Sequence, residues 1–286
     1  MWKNLIAVAV IIALVAGVGA VQRARKAESL AKDLAGADEY QAYKALKKLA
    51  ALGPGAMDKV APLLDSGEAP VRARAAAVIA ETGAPGYGPA LVKMLQDSHP
   101  GVRVAAAGAL GASGYRGGVM PLTTLLSDAH QPMEVRIAAA RGLARLAAPE
   151  ALQALIAVLD LPDKKDSAQL RQTAAVALGS LSEREAFVAL TKHLDPSFEK
   201  DVQVRALAAQ GLAFAAKAGT EPTEMAGEAL VLAATKDKAS EVRIAAVHSL
   251  SGMRFSGSLN AKVAEALQAA QDDPHYWVRE AVSETR

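Results

Sequence analysis

The chain of 286 residues contains no cysteine. Disulfides, thiolate metal sites and thiol nucleophiles are therefore excluded, and both oxidising and reducing compartments remain open. Aromatic residues make up only 4%. A large excess of one sign of charge is also missing, with 32 basic against 30 acidic residues and a formal net charge of +2. A nucleic-acid binder concentrates Lys and Arg on one face and adds aromatics for stacking, so this balance argues against such a partner. Histidine is scarce, and none of His99, His130, His193, His248 and His275 is paired with another at helical spacing or followed by Glu. His248, within HSLSG, is the nearest candidate ligand, and a packed or surface histidine explains it better. The glycine-rich stretches 83–88 and 108–118 lack the lysine of a phosphate-cradling loop and read as turns. Alternation with period two is absent as well, so strands are not expected.

What is present is a recurring pair. An apolar residue followed by arginine occurs at Val71-Arg72, Val102-Arg103, Val135-Arg136, Leu170-Arg171, Val204-Arg205, Val242-Arg243 and Val278-Arg279. Successive arginines are 31, 33, 35, 34, 38 and 36 residues apart. A period in the thirties over seven copies marks a stacked helical array. After each pair the apolar positions follow one stripe of a helix, as in Val102, Ala105, Ala106 and Leu110, or Val242, Ala245, Ala246 and Leu250. Before each pair lies a turn, usually with Asp beside Pro, Ser, Gly or Lys, and before the turn another apolar segment. Each unit therefore reads as helix, turn, helix. A single pair cannot bury its stripe, and stacking builds the core.

The segments 97–111 (DSHPGVRVAAAGALG) and 170–179 (LRQTAAVALG) resemble the HEAT repeat, in the short bacterial form also found in phycobilisome lyases. The resemblance spans roughly residues 38–284. It implies an all-α, right-handed solenoid of about seven to eight helix pairs. It says little about function, because such arrays scaffold many assemblies. The metal-binding hydroxylases built on HEAT repeats use His-Glu pairs, which this sequence lacks.

The second strong signal is the run 5–21, in which every position is Leu, Ile, Val, Ala or Gly. At about 1.5 Å per residue the run is roughly 25 Å long, and 2–22 reaches about 30 Å, enough for a bilayer. Trp2 suits an interface, and Arg23, Arg25 and Lys26 form a basic flank. Residues 1–22 are expected to be a single-pass anchor, with a cleaved signal peptide ending near Val18-Gly19-Ala20 as the competing reading. A juxtamembrane helix or linker follows at 23–37 and the array at 38–286. The positive-inside rule leans toward a cytoplasmic array, and an exported one stays open. Small residues in the run suit packing against other membrane helices.

The seven arginines of the pairs, Arg72, Arg103, Arg136, Arg171, Arg205, Arg243 and Arg279, are expected to be structural, bonding acids or carbonyls at the repeat junctions. Candidate partner contacts are Arg74, Arg141 and Arg145 on second helices, and Tyr276 and Trp277 near the C-terminus. The irregular stretches 160–169 and 215–223 are expected to be long loops. No catalytic, cofactor or metal constellation is found. The expected function is a membrane-anchored scaffold or accessory subunit, not an enzyme, which binds a protein of a membrane complex and contacts lipid through 5–21. The alternatives are a bilin-lyase-like chromophore handler and a soluble periplasmic binding module.

Overall fold

The computed structural model describes residues 2–215 and 221–284, with side chains from residue 18 onward except at 85, 215, 221 and 222. Among the described residues every regular element is helical. The chain divides into two compact units, Met1–Gly118 and Val119–Arg286.

The first unit holds α1 (Trp2–Ala35), α2 (Glu39–Leu52), the single turn α3 (Met57–Val60) between two 3-10 segments, α4 (Ala69–Thr82), α5 (Gly88–Met94) and α6 (Pro100–Ser113). The second holds α7 (Val119–Ser127), α8 (Met133–Leu146), α9 (Leu152–Leu159), α10 (Lys165–Gly179), α11 (Arg184–Lys192), α12 (Val202–Ala215), α13 (Glu221–Lys236), α14 (Ser240–Gly252), α15 (Gly257–Ala270) and α16 (Tyr276–Ser283). Odd and even helices pair, which makes three pairs in the first unit and five in the second. In the second unit α8, α10, α12, α14 and α16 pack in one layer, and α7, α9, α11, α13 and α15 in the other. In the first, α2, α4 and α6 form the corresponding row.

The apolar stripe read from the sequence is the buried one. Val102, Ala106 and Leu110 are fully buried, as are the apolar residues that precede the other junction arginines. Alanine and glycine let neighbouring helices approach closely. At the α10–α12 crossing a methyl placed on Gly179 would lie 2.5 Å from the Gly211 Cα, so only glycine fits. Ser249 of α14 donates to the Ala209 carbonyl of α12 at 2.9 Å, satisfying a buried hydroxyl at the next crossing.

The turns follow one scheme. The carboxylate of Asp97, Asp128, Asp195, Asp237 or Asp273 accepts a hydrogen bond from the backbone N–H two residues on, at 2.7–2.9 Å. This local bond stops one helix and starts the next. At the far end, α4 and α6 finish on Gly83 and Gly114 in the left-handed conformation, eleven residues after their junction arginines. α8 places Ala147 there, at φ 43°.

The expected anchor belongs to the N-terminal part of α1, which continues without a break to Ala35. The side chains of the run as far as residue 17 lie outside the described residues. Among the described residues no helix is long and apolar enough to cross a membrane. The expected segment 23–37 is mostly the C-terminal part of α1, and it buries Ala27, Leu30, Ala31 and Leu34 while α1 packs on α2. The stacked core therefore starts upstream of residue 38.

Candidate functional site

The junction arginines bridge two turns, and their donors are divided between them. In Arg205 one terminal nitrogen donates to the carbonyls of Glu199 and Lys200, in the turn before its own helix, at 3.1 and 3.2 Å. Nε and the other nitrogen clasp both oxygens of Asp237, in the following turn, at 2.9 and 3.1 Å. Arg243 repeats this with the carbonyls of Asp237 and Lys238 and the carboxylate of Asp273. Arg72 does so with Ser66, Gly67 and Asp97. A planar guanidinium opposite a carboxylate gives two parallel charge-assisted bonds, a geometry lysine cannot match. The Arg72 hydrogen bond holds the Asp97 carboxyl below the usual range. Burial works against the charge of Asp273, and the Arg243 bonds overcome it, lowering that group as well.

Each of the seven arginines bonds a carbonyl or an acid at a repeat junction. At Arg72, Arg205 and Arg243 the preceding turn supplies backbone carbonyls and the clasped carboxylate belongs to the next turn, whereas at Arg171 an acid of the preceding turn, Asp163, also bonds the guanidinium. Four copies depart from the scheme, Arg171 among them. Arg103 donates to the Asp97 and Ser98 carbonyls, and its buried Nε has no partner. Arg136 donates from Nε to the Leu126 carbonyl, and burial lowers its pKa. Arg279 donates to the Asp273 carbonyl and is exposed.

The Arg171 junction is the most elaborate. Arg171 is buried and pairs with Asp163 at 2.9 Å and with Glu199. The same Glu199 oxygen lies 2.9 Å from His193 Nδ1, while His193 Nε2 lies 3.1 Å from Asp160. Lys192 also reaches Asp160, at 2.8 Å. Phe198 covers the cluster, edge-on to the His193 ring at 5.0 Å and beneath the Lys192 ammonium at 4.2 Å. Burial opposes the Glu199 charge. Hydrogen bonds from His193, Arg171 and the Asp201 N–H overcome it and hold this carboxyl at about 2. The cluster escaped the sequence reading, which saw His193 as isolated. The one signal is that Asp160 and His193 stand 33 residues apart, one repeat period, so equivalent turns carry both.

This cluster also explains the irregular stretch at 160–169. α10 begins at Lys165, and Asp160 and Asp163 of the loop before it are engaged by His193, Lys192 and Arg171. Two acids of the stretch thus complete a junction, while 162–166 stay exposed. Of the second stretch, 216–220 lies outside the described residues.

The expected partner contacts separate. Arg74 donates to the Leu34 and Gly36 carbonyls at 3.1 and 2.9 Å. It closes the C-terminus of α1, where carbonyls lack intrahelical partners, so its role is structural rather than part of an open groove. Arg141 and Arg145 are exposed one turn apart on α8, and among the described residues neither forms an ion pair. Tyr276 and Trp277 are exposed at the start of α16, edge to face at 5.0 Å, with Arg279 beside the Tyr276 ring. They do not pack over the last helix pair.

Two clefts lie elsewhere. One of about 740 Å³ in the first unit is lined by Leu64, Tyr87, Met94, Arg72 and Asp97. Another of about 300 Å³ lies between α11 and α13, against Leu194, Pro196, Leu232 and Lys236. Among the described residues no group of three or more His, Asp or Glu side chains could hold a metal ion.

The family model for HEAT repeats matches residues 57–133, 119–203 and 197–285. The chain belongs to the HEAT-repeat family. Its fold is similar to that of an engineered protein, at 22% identity and a TM-score of 0.54, over 91% of this chain and 77% of that one. It is also similar to the complex of CpcE and CpcF of phycocyanin lyase from Nostoc sp., at 20% identity and a TM-score of 0.52, over 80% and 94% of the two chains. Human deoxyhypusine hydroxylase aligns over 94% and 97% of the chains, at 23% identity and a TM-score of 0.41. No curated protein matches the sequence.

Proposed function

We propose that this HEAT-repeat chain is a membrane-tethered scaffold that binds another protein and performs no chemistry of its own. The continuity of α1 carries the proposal. One helix joins the seventeen-residue apolar run to the buried Leu30 and Leu34, without a flexible link. Val18 and Val21, at the end of that run, are exposed on the helix. A rigid tether holds the array at a set distance and angle from the bilayer and confines it to two dimensions, which raises the effective concentration of a membrane partner. The basic cluster Arg23, Arg25 and Lys26 favours a cytoplasmic array. The similar phycocyanin-lyase fold, itself found in a complex of two proteins, is in keeping with a partner-binding role.

The test is fractionation followed by purification in mild detergent. The full chain is expected in carbonate-washed membranes, with a second protein retained in stoichiometric amount, while a chain lacking residues 1–22 stays in the supernatant. A full-length chain that remains soluble, or is recovered alone and monomeric from membranes, overturns the proposal.

A further inference from the structure

The second helices of the Val119–Arg286 unit lie side by side, and their exposed mid-helix positions line up as one stripe. It runs from Arg141 and Arg145 on α8, through Val176 on α10, to Gln210 and Phe214 on α12 and His248 on α14. Three observations set this stripe apart. First, it carries no carboxylate, although acids and bases are nearly equal in number along the chain. The exposed acids of α8 and α14, Glu134 and Glu241, sit in the first turns. Second, Arg141 and Arg145 repel each other one turn apart and have no acidic neighbour to relieve it. Third, the stripe exposes Val176 at 50% and Phe214 at 83%, so large apolar side chains stand in it beyond the arginines.

We infer that this stripe docks an acidic segment of a partner protein, with carboxylates on Arg141 and Arg145 and an apolar side chain against Val176 and Phe214. Charge complementarity selects the acid, and the exposed aromatic supplies the anchor that such interfaces favour. With neighbouring helices 8–10 Å apart, α8 and α12 lie about 20 Å apart, so the two features are separated by roughly six extended residues or thirteen helical ones. This inference rests on the scaffold reading and assigns that reading a surface.

The test is selection from a random peptide library of about fourteen residues, long enough for either form. The wild-type chain in detergent is the bait, and R141E/R145E/F214A is the counter-selection. Both chains are first shown to melt alike. Recovered peptides are expected to carry Asp or Glu together with a Phe, Leu or Trp. They should bind R141E/R145E at least tenfold more weakly and F214A several-fold more weakly, with K236E on the opposite layer unchanged. Peptides that bind wild type and triple variant equally, or no enrichment over the starting library, overturn the inference. Tighter binding of a single-stranded oligonucleotide through the same arginines also overturns it. A native partner that stays bound to the triple variant removes this surface and leaves the scaffold reading standing.

Discussion

Arg205 clasps both carboxylate oxygens of Asp237, 32 residues further along the chain, and both side chains are almost wholly buried. Burial makes this pair a strict condition rather than a large source of stability. Removing two charges from water costs about what their attraction returns, whereas leaving one unpaired is expensive. D237A is expected to destabilise the chain by about 3–5 kcal/mol. D273A, whose clasp by Arg243 is more exposed, should cost less. R205K should resemble R205A, since lysine cannot form the fork. Urea unfolding of the four variants checks this order.

Glu199 gives the array a pH dependence. Its carboxyl titrates at about 2, against an ordinary value of 4.5. The folded state therefore binds this proton less readily than the unfolded chain. The resulting stability is complete above about pH 5 and is lost as the pH falls toward 2, and it is on the order of 3 kcal/mol. E199Q should be less stable than wild type at neutral pH, and the gap should close in acid. Unfolding free energies from pH 7 to pH 2.5 measure it, and a gap that stays constant would show that Glu199 does not carry the effect.

Gly179 and Gly211 mark the tightest helix crossing. The neighbour of an added methyl is backbone, which cannot rotate away. G179A is expected to cost about 1–3 kcal/mol by overpacking. Thermal melting should show it, and the control A177S in the same helix is unsuited because Ala177 is buried. Q169A, at an exposed position of the same helix, is the better control and should change little.

Ala147 offers the opposite outcome. It holds a left-handed conformation that α4 and α6 assign to Gly83 and Gly114. That conformation costs a residue with a Cβ roughly 1–2 kcal/mol. A147G should therefore stabilise the chain by up to about 1 kcal/mol, after the greater entropy of glycine in the unfolded state is deducted. A rise in melting temperature checks it.

Much of the fold was legible in the sequence because it is periodic. Val102, Ala106 and Leu110 recur in register with their equivalents, and burial along a helix follows spacing. The Asp-containing turns were legible for the same reason, since an Asp side chain bonds a backbone N–H only two residues away. The special role of His193 was not, because Asp160 reaches it from the preceding repeat only through stacking. Arg74 also misled: a basic residue at a commonly apolar position suggests an open groove, and only the fold brings the α1 carbonyls to it.

The sequence by itself determined that this is a repeating all-helical array headed by an apolar run, because local spacing and hydrophobicity are properties of the chain alone. Only the tertiary structure decided which junction arginines hold an acid, and which acid each of those holds. At Arg205 the preceding turn meets the near side of the guanidinium with the Glu199 and Lys200 carbonyls. Stacking carries the carboxylate of the next turn to the open fork, as Asp237 is carried to Arg205. The same stacking leaves Arg141, Arg145 and Phe214 exposed on one face of α8 and α12, where spacing alone had singled out only the two arginines.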